Sequence, residues 1–135
     1  MNRDDIVGHK IVRALHESKL DGDLDISTTY LKLDSGRVLF FASSAADDIE
    51  EEKIPLTAKR LKRPIRKKLE GRMISQIFRR MDGEERDGDS IILELDSDIY
   101  ATECHVAPLG TGQAGLYFYS EQEFTKLLGT TTQPF

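Results

Sequence analysis

The chain repeats a short pattern that dictates its local geometry. Leu31-Lys32-Leu33-Asp34-Ser35-Gly36-Arg37-Val38 returns 62 residues later as Leu93-Glu94-Leu95-Asp96-Ser97-Asp98-Ile99-Tyr100. Apolar, charged, apolar is a period of two, which a strand places on opposite faces and a helix does not. Asp-Ser then supplies turn chemistry, and apolar residues resume at once. The chain is therefore expected to contain two β-hairpins, over residues 26–33 with 37–43 and over 90–96 with 99–106. The plain reading of the recurrence is that strand-turn-strand physics selects the same pattern twice. The sharper reading is a duplicated half-domain, or two equivalent hairpins in one sheet.

Other segments follow weaker signals. Ile6, Val7, Ile11, Val12 and Leu15 recur at helical spacings, so residues 3–19 are expected to form a helix capped by Asn2. Asp21-Gly22-Asp23 ends it. Residues 44–56 are expected to be a loop. Ala58, Leu61, Ile65 and Leu69 suggest a central helix over 57–70, with Gly71 as terminator. Pro64 would either kink that helix or sit in the first turn of a second, short one. Residues 72–80 and 115–119 read as strands, and 82–89 as a polar connection. Ser120 and Glu123 form a capping box for a short C-terminal helix stopped at Gly129. The tail, 130–135, is expected to be loose. The fold class expected is α+β: a mainly antiparallel sheet of about six strands, an N-terminal helix, a basic central helix and a short C-terminal helix, in one domain over 1–135.

At 135 residues with 39% hydrophobic and 7% aromatic content, one core is affordable. Cys104 is the only cysteine, which excludes an internal disulfide framework. No apolar run reaches the roughly 20 residues a membrane helix needs. The N-terminus lacks a basic-then-apolar leader pattern, so a cytoplasmic protein without membrane contact is expected.

The net charge of -5 hides a segregated layout: residues 1–52 carry -6, 53–86 carry +8, and 87–135 carry -7. The acidic run Asp47, Asp48, Glu50, Glu51 and Glu52 lies just before the densest basic stretch, so the two are expected to pair.

Several motifs fail on their context. Gly110-Thr111-Gly112-Gln113-Ala114-Gly115 matches the dinucleotide fingerprint in letters, but a strand pattern follows it where a helix is required. It reads as a glycine loop that can approach a partner closely. Asp21-Gly22-Asp23-Leu24-Asp25 begins like a calcium loop but puts Ile26 and Lys32 where Gly and Glu are needed. Cys104 and His105 have no second cysteine or local histidine for zinc. Strand alternation puts Cys104 inside and His105, with Glu103, on the surface. His9 and His16 would lie near one face of the first helix. Asp34 and Asp96 read as turn residues. No nucleophile elbow or phosphate-binding P-loop is present. Hence no cofactor and no metal is expected, and catalysis is not the favoured reading.

The basic segment is the strongest functional feature. Lys59, Arg60, Lys62, Arg63, Arg66, Lys67, Lys68 and Arg72 are expected on the polar side of the central helix. With Gly110, Gly112 and Gly115 they are the candidate partner-binding residues. The function expected is a non-enzymatic protein-binding domain of the inhibitor, immunity or adaptor type. A nucleic-acid-binding module using residues 59–80 is the alternative, weakened by the absence of aromatic residues in the segment before Phe78. A small enzyme would need a pocket holding Asp34, Asp96, Glu103 or His105 with a perturbed pKa. Edge strands leave homodimerisation open.

Overall fold

The computed structural model describes residues 1–43, 45–80, 91–127 and 132–135. The expected 82–89 connection and the Gly129 stop lie outside them. Strands dominate, and both repeats form hairpins. β1 (Ile11–Asp21), β2 (Leu24–Leu33), β3 (Val38–Phe40), β4 (Asp48–Ile49) and β5 (Lys59–Arg60) make one antiparallel sheet in the order β4-β3-β2-β1-β5. β6 (Ile74–Arg80), β7 (Ile91–Leu95), β8 (Ile99–Cys104), β10 (Gly115–Ser120) and β11 (Thr132–Pro134) make a second, in the order β10-β8-β7-β6-β11. Between β8 and β10, β9 (Val106–Pro108) crosses to the first sheet and pairs with the start of β2. The two Leu-x-Leu-Asp-Ser hairpins, β2–β3 and β7–β8, therefore sit in different sheets rather than side by side in one.

The layers face each other across one core. Leu31, Leu33 and Leu39 from the first sheet meet Ile77, Leu93, Leu95 and Ala101 from the second, all buried. The repeated leucines are thus the inward residues of both layers. The sheets join at two corners. At one, Lys10 bridges Met73, with backbone bonds from Gly8 N–H to Ile74 and from Ile11 N–H to Arg72. At the other, β9 carries the chain across.

Several expected elements differ; residues 44–56, expected as a loop, hold β4 and a 3-10 turn over Glu51–Lys53. Residues 3–19 are not a helix: only Arg3–Asp5 make a short 3-10 turn, and β1 occupies Ile11–Asp21. Residues 57–70 are not a long basic helix. They hold β5 and a four-residue helix α1 (Arg63–Arg66) with Pro64 in its first turn, followed by turns ending at Gly71, whose φ is 84°. Pro64 lacks an N–H to donate, and the backbone before it favours extended conformations, so a helix can begin there but not continue through. At the end of the tail, Thr132, Gln133 and Pro134 pair with Arg80, Arg79 and Phe78.

The C-terminal helix α2 (Glu121–Leu127) begins on the expected box. Glu123 N–H donates to Ser120 Oγ at 3.2 Å, and Ser120 N–H donates to Glu123 Oε1 at 3.0 Å. Phe124 covers the outer face of the second sheet, stacked on Tyr100 with ring centroids 4.0 Å apart.

Candidate functional site: a basic-rimmed cleft between two sheet edges

The sandwich stays open along a third side, between β1 and β5 on one edge and β10 on the other. A cavity of about 660 Å³ lies there, lined by His16 and Ser18, by Thr57, Lys59, Arg60, Leu61 and Lys62, by Ile65 of α1, and by Gly115, Leu116 and Phe118. Strand register explains who faces it. Ala14, His16 and Ser18 oppose Leu31, Thr29 and Ser27, so these six share the inward face of the first sheet. Leu116 and Phe118 oppose Glu103 and Ala101 on the inward face of the second. The interlayer space is thus apolar around Leu31 and Leu93 and polar at the end that opens into the cleft.

Glu103 anchors that polar end. It is wholly buried, contrary to the surface position expected, because it shares the inward face of β8 with Ala101 and points into the interlayer space. Thr29 donates to it from its backbone N–H at 3.0 Å and from Oγ1 at 2.5 Å, and Ser27 Oγ donates at 3.1 Å. Burial nonetheless dominates and pushes its carboxyl up to about 7, the hydrogen bonds pulling the other way. His16 Nε2 lies 2.7 Å from Ser27 Oγ, and burial holds the imidazole below its ordinary pKa. His105 is not a free surface group either: its Nδ1 is 2.8 Å from the Ser27 carbonyl oxygen.

This chain of groups does not present a nucleophile. In a catalytic triad the acid orients the histidine and the histidine activates the serine. Here Ser27 sits between His16 and Glu103, is only 2% exposed, and is held by both. Asp34 and Asp96 are turn residues as expected. Asp34 lies 2.7 Å from His9 Nδ1, whose contact holds the carboxyl low, and Asp96 accepts from the Met73 N–H. His9 precedes β1 and His16 lies within it, so the two do not share a helix face. Among the described residues no three His, Cys, Asp or Glu side chains converge as a metal site. The stretch 21–25 is the β1–β2 hairpin turn, and the glycine motif is the β9–β10 loop, with no helix after it.

Of the candidate binding residues, Lys59, Arg60, Lys62 and Gly115 come together on the cleft. Arg63, Arg66, Lys67, Lys68 and Arg72 do not line it, nor do Gly110 and Gly112. Arg66 and Arg60 both reach Glu70, at 3.8 and 2.8 Å, and Arg72 reaches Asp96 and Asp98. Lys68 Nζ lies 5.0 Å from the centre of the Phe118 ring. The expected pairing of the acidic run with this segment does not occur. Asp48 pairs with Arg37, Glu51 with Lys32, and Glu50 with Lys53. Lys59 and Lys62 consequently have no ion-pair partner among the described residues.

Glu70 sets the wall that carries these cations. Its Oε2 accepts from the Ala14 N–H at 2.9 Å while its Oε1 accepts from Arg60, which ties the segment after α1 and β5 to β1. Sequence reading missed Glu70, named Glu103 only as a possible member of an enzyme pocket, and placed His16 only on a helix face with His9. A lone glutamate among apolar and small residues in the strand Ile99–Cys104 was the available signal for Glu103.

No described helix is long and apolar enough to cross a membrane. No protein-family description, curated protein or solved structure matches the chain.

Proposed function

We propose that this chain is a binding domain that takes an acidic, partly apolar segment of a partner protein into the cleft between β5 and β10. The observation that carries this reading is the cleft's composition. Lys59 and Lys62, unpaired among the described residues, stand with Arg60 around Leu61, Ile65, Leu116 and Phe118. Cations at a rim steer an anionic partner, and apolar residues in a concave floor supply buried contact area. Internal neutralisation, the strongest objection to a charged partner, reaches Arg60, Arg66 and Arg72 through Glu70, Asp96 and Asp98 but does not extend to Lys59 and Lys62 among the described residues. Nucleic acid fits less well: Phe118, the aromatic ring in the cleft, has Lys68 near it and packs against the core, so it does not offer a free stacking face. The cleft's catalytic use is also disfavoured, because Glu103 and Ser27 are buried behind His16.

Titration of isotope-labelled protein with an N-acetylated octapeptide alternating glutamate and valine tests the reading. Amide resonances of Lys59–Arg60, Lys62 and Leu116 are expected to shift. The double variant Lys59→Glu, Lys62→Glu, folded by its remaining spectrum, is expected to bind at least about tenfold more weakly. A thymidine oligonucleotide that binds while the peptide does not would establish the nucleic-acid alternative instead.

A further inference from the structure

We infer that the partner segment binds as an added β-strand along the open edge of β10; this deepens the proposed reading and rests on it. Among the described strands, β4 and β5 end the path of the first sheet and β10 and β11 that of the second, while the short β9, ending in Pro108, pairs only with β2. Unpaired backbone along such a strand is a template for another chain, and folded proteins blunt it with short length, charge or proline. Three of the four outermost strands show such devices. β4 is two residues including Asp48, β5 is Lys59 and Arg60 alone, and β11 is three residues ending in Pro134. β10 has none: Gly115-Leu116-Tyr117-Phe118-Tyr119-Ser120 is six residues long, with no charge and no proline.

β10 pairs with β8 along its whole length, and no described strand pairs with its other side. The matching edge across the cleft is also open. β1 pairs with β5 only at Leu15 and His16; its start is tied through Ile11 to Gly71 and Arg72 and through the Ala14 N–H to Glu70, while its far end, including cleft-lining Ser18, has β2 on one side and no described strand on the other. A strand laid in the cleft would find main-chain donors and acceptors on β10. Alternate side chains would meet Leu116, Phe118, Leu61 and Ile65, with Lys59, Arg60 and Lys62 on the opposite wall. This is strand addition, in which backbone bonds give affinity and alternate side chains give selectivity.

The occupant is an acidic segment rather than a second copy of this chain. Two copies paired through β10 would bring both sets of Lys59, Arg60 and Lys62 together, a like-charge contact that disfavours the pair.

The test uses the glutamate–valine octapeptide and two derivatives. In one, the valine amides are N-methylated; in the other, the glutamate amides. A strand bonds its neighbour through every second residue. One derivative is therefore expected to lose at least about tenfold in affinity, and the other to bind like the parent. Amide exchange of alternate residues in β10 is expected to slow with the parent. Equal binding of all three peptides, with shifts at Lys59 and Lys62 only, overturns strand addition and leaves the docking reading standing. No binding of the parent overturns both. Sedimentation showing a dimer without peptide, with β10 amides already protected, assigns the edge to a second copy and overturns the acidic occupant.

Discussion

Replacing Glu103 by glutamine should stabilise the protein above neutrality and leave it nearly unchanged in acid. Folding raises this carboxyl from 4.5 to about 7, so the folded state holds the proton more tightly than the unfolded chain. The stability this contributes is fully present below the ordinary value and is lost as pH rises through the folded value. The difference corresponds to about 3 kcal/mol at roughly 1.4 kcal/mol per pKa unit. Glutamine keeps the geometry without the titration. Its amide oxygen can still accept from the Thr29 N–H, and its NH2 can donate to the Ser27 and Thr29 hydroxyls, which rotate to accept. Urea unfolding of both proteins from about pH 4 to about pH 8 measures the effect. The stability of the variant minus that of the parent should rise by about 3 kcal/mol across that range. His16 works in the opposite sense, since its lowered pKa makes acid unfavourable to the fold, but it is present in both proteins and largely cancels in the difference. A difference that does not change with pH would refute the claim that desolvation outweighs the hydrogen bonds from Thr29 and Ser27 to Glu103.

Glu70→Ala removes the acceptor for the Ala14 N–H and the partner of Arg60, and should cost about 1–3 kcal/mol in urea unfolding, with shifted amide resonances along β5. Ser120→Ala removes one half of the α2 capping box and should cost about 1 kcal/mol, with faster amide exchange confined to the first turn of that helix.

The hairpins were readable because their inward positions are leucines. Leu31 and Leu33 in β2, and Leu93 and Leu95 in β7, are buried at alternate positions, and alternation is a strand's signature. The same logic hid β1. A bulge places Ile11 opposite Leu33 but Arg13 opposite Lys32, so the inward residues Ile11 and Ala14 are three apart, a helical interval. Beyond the bulge alternation returns, but its inward members are His16 and Ser18, which carry no hydrophobic signal. They are polar because they face the cleft and the Ser27–Glu103 network. The strand was misread for the same reason that it lines a site. The central helix failed differently: Leu61 and Leu69 pack on the core, but Ile65 between them is exposed on the cleft, and Pro64 confines the helix to Arg63–Arg66.

Charge layout was visible in outline and misleading in detail. Opposite blocks separated by a few residues are expected to pair, but pairing follows strand register rather than sequence distance. Asp48 on β4 lies one strand from β3 and so beside Arg37 at the mouth of the β2–β3 turn, while Glu51 reaches Lys32 on β2. β5 docks at the other edge of the same sheet, with β3, β2 and β1 between it and β4. The sheet therefore separates the acidic run from Lys59 and Lys62 by its own width. The separation leaves those cations beside β10, the one described end strand without charge, proline or short length. An uncharged edge exposes a protein to unwanted pairing; in the proposed reading, a flanking wall of lysine and arginine favours acidic strands there and repels a second copy of the same wall.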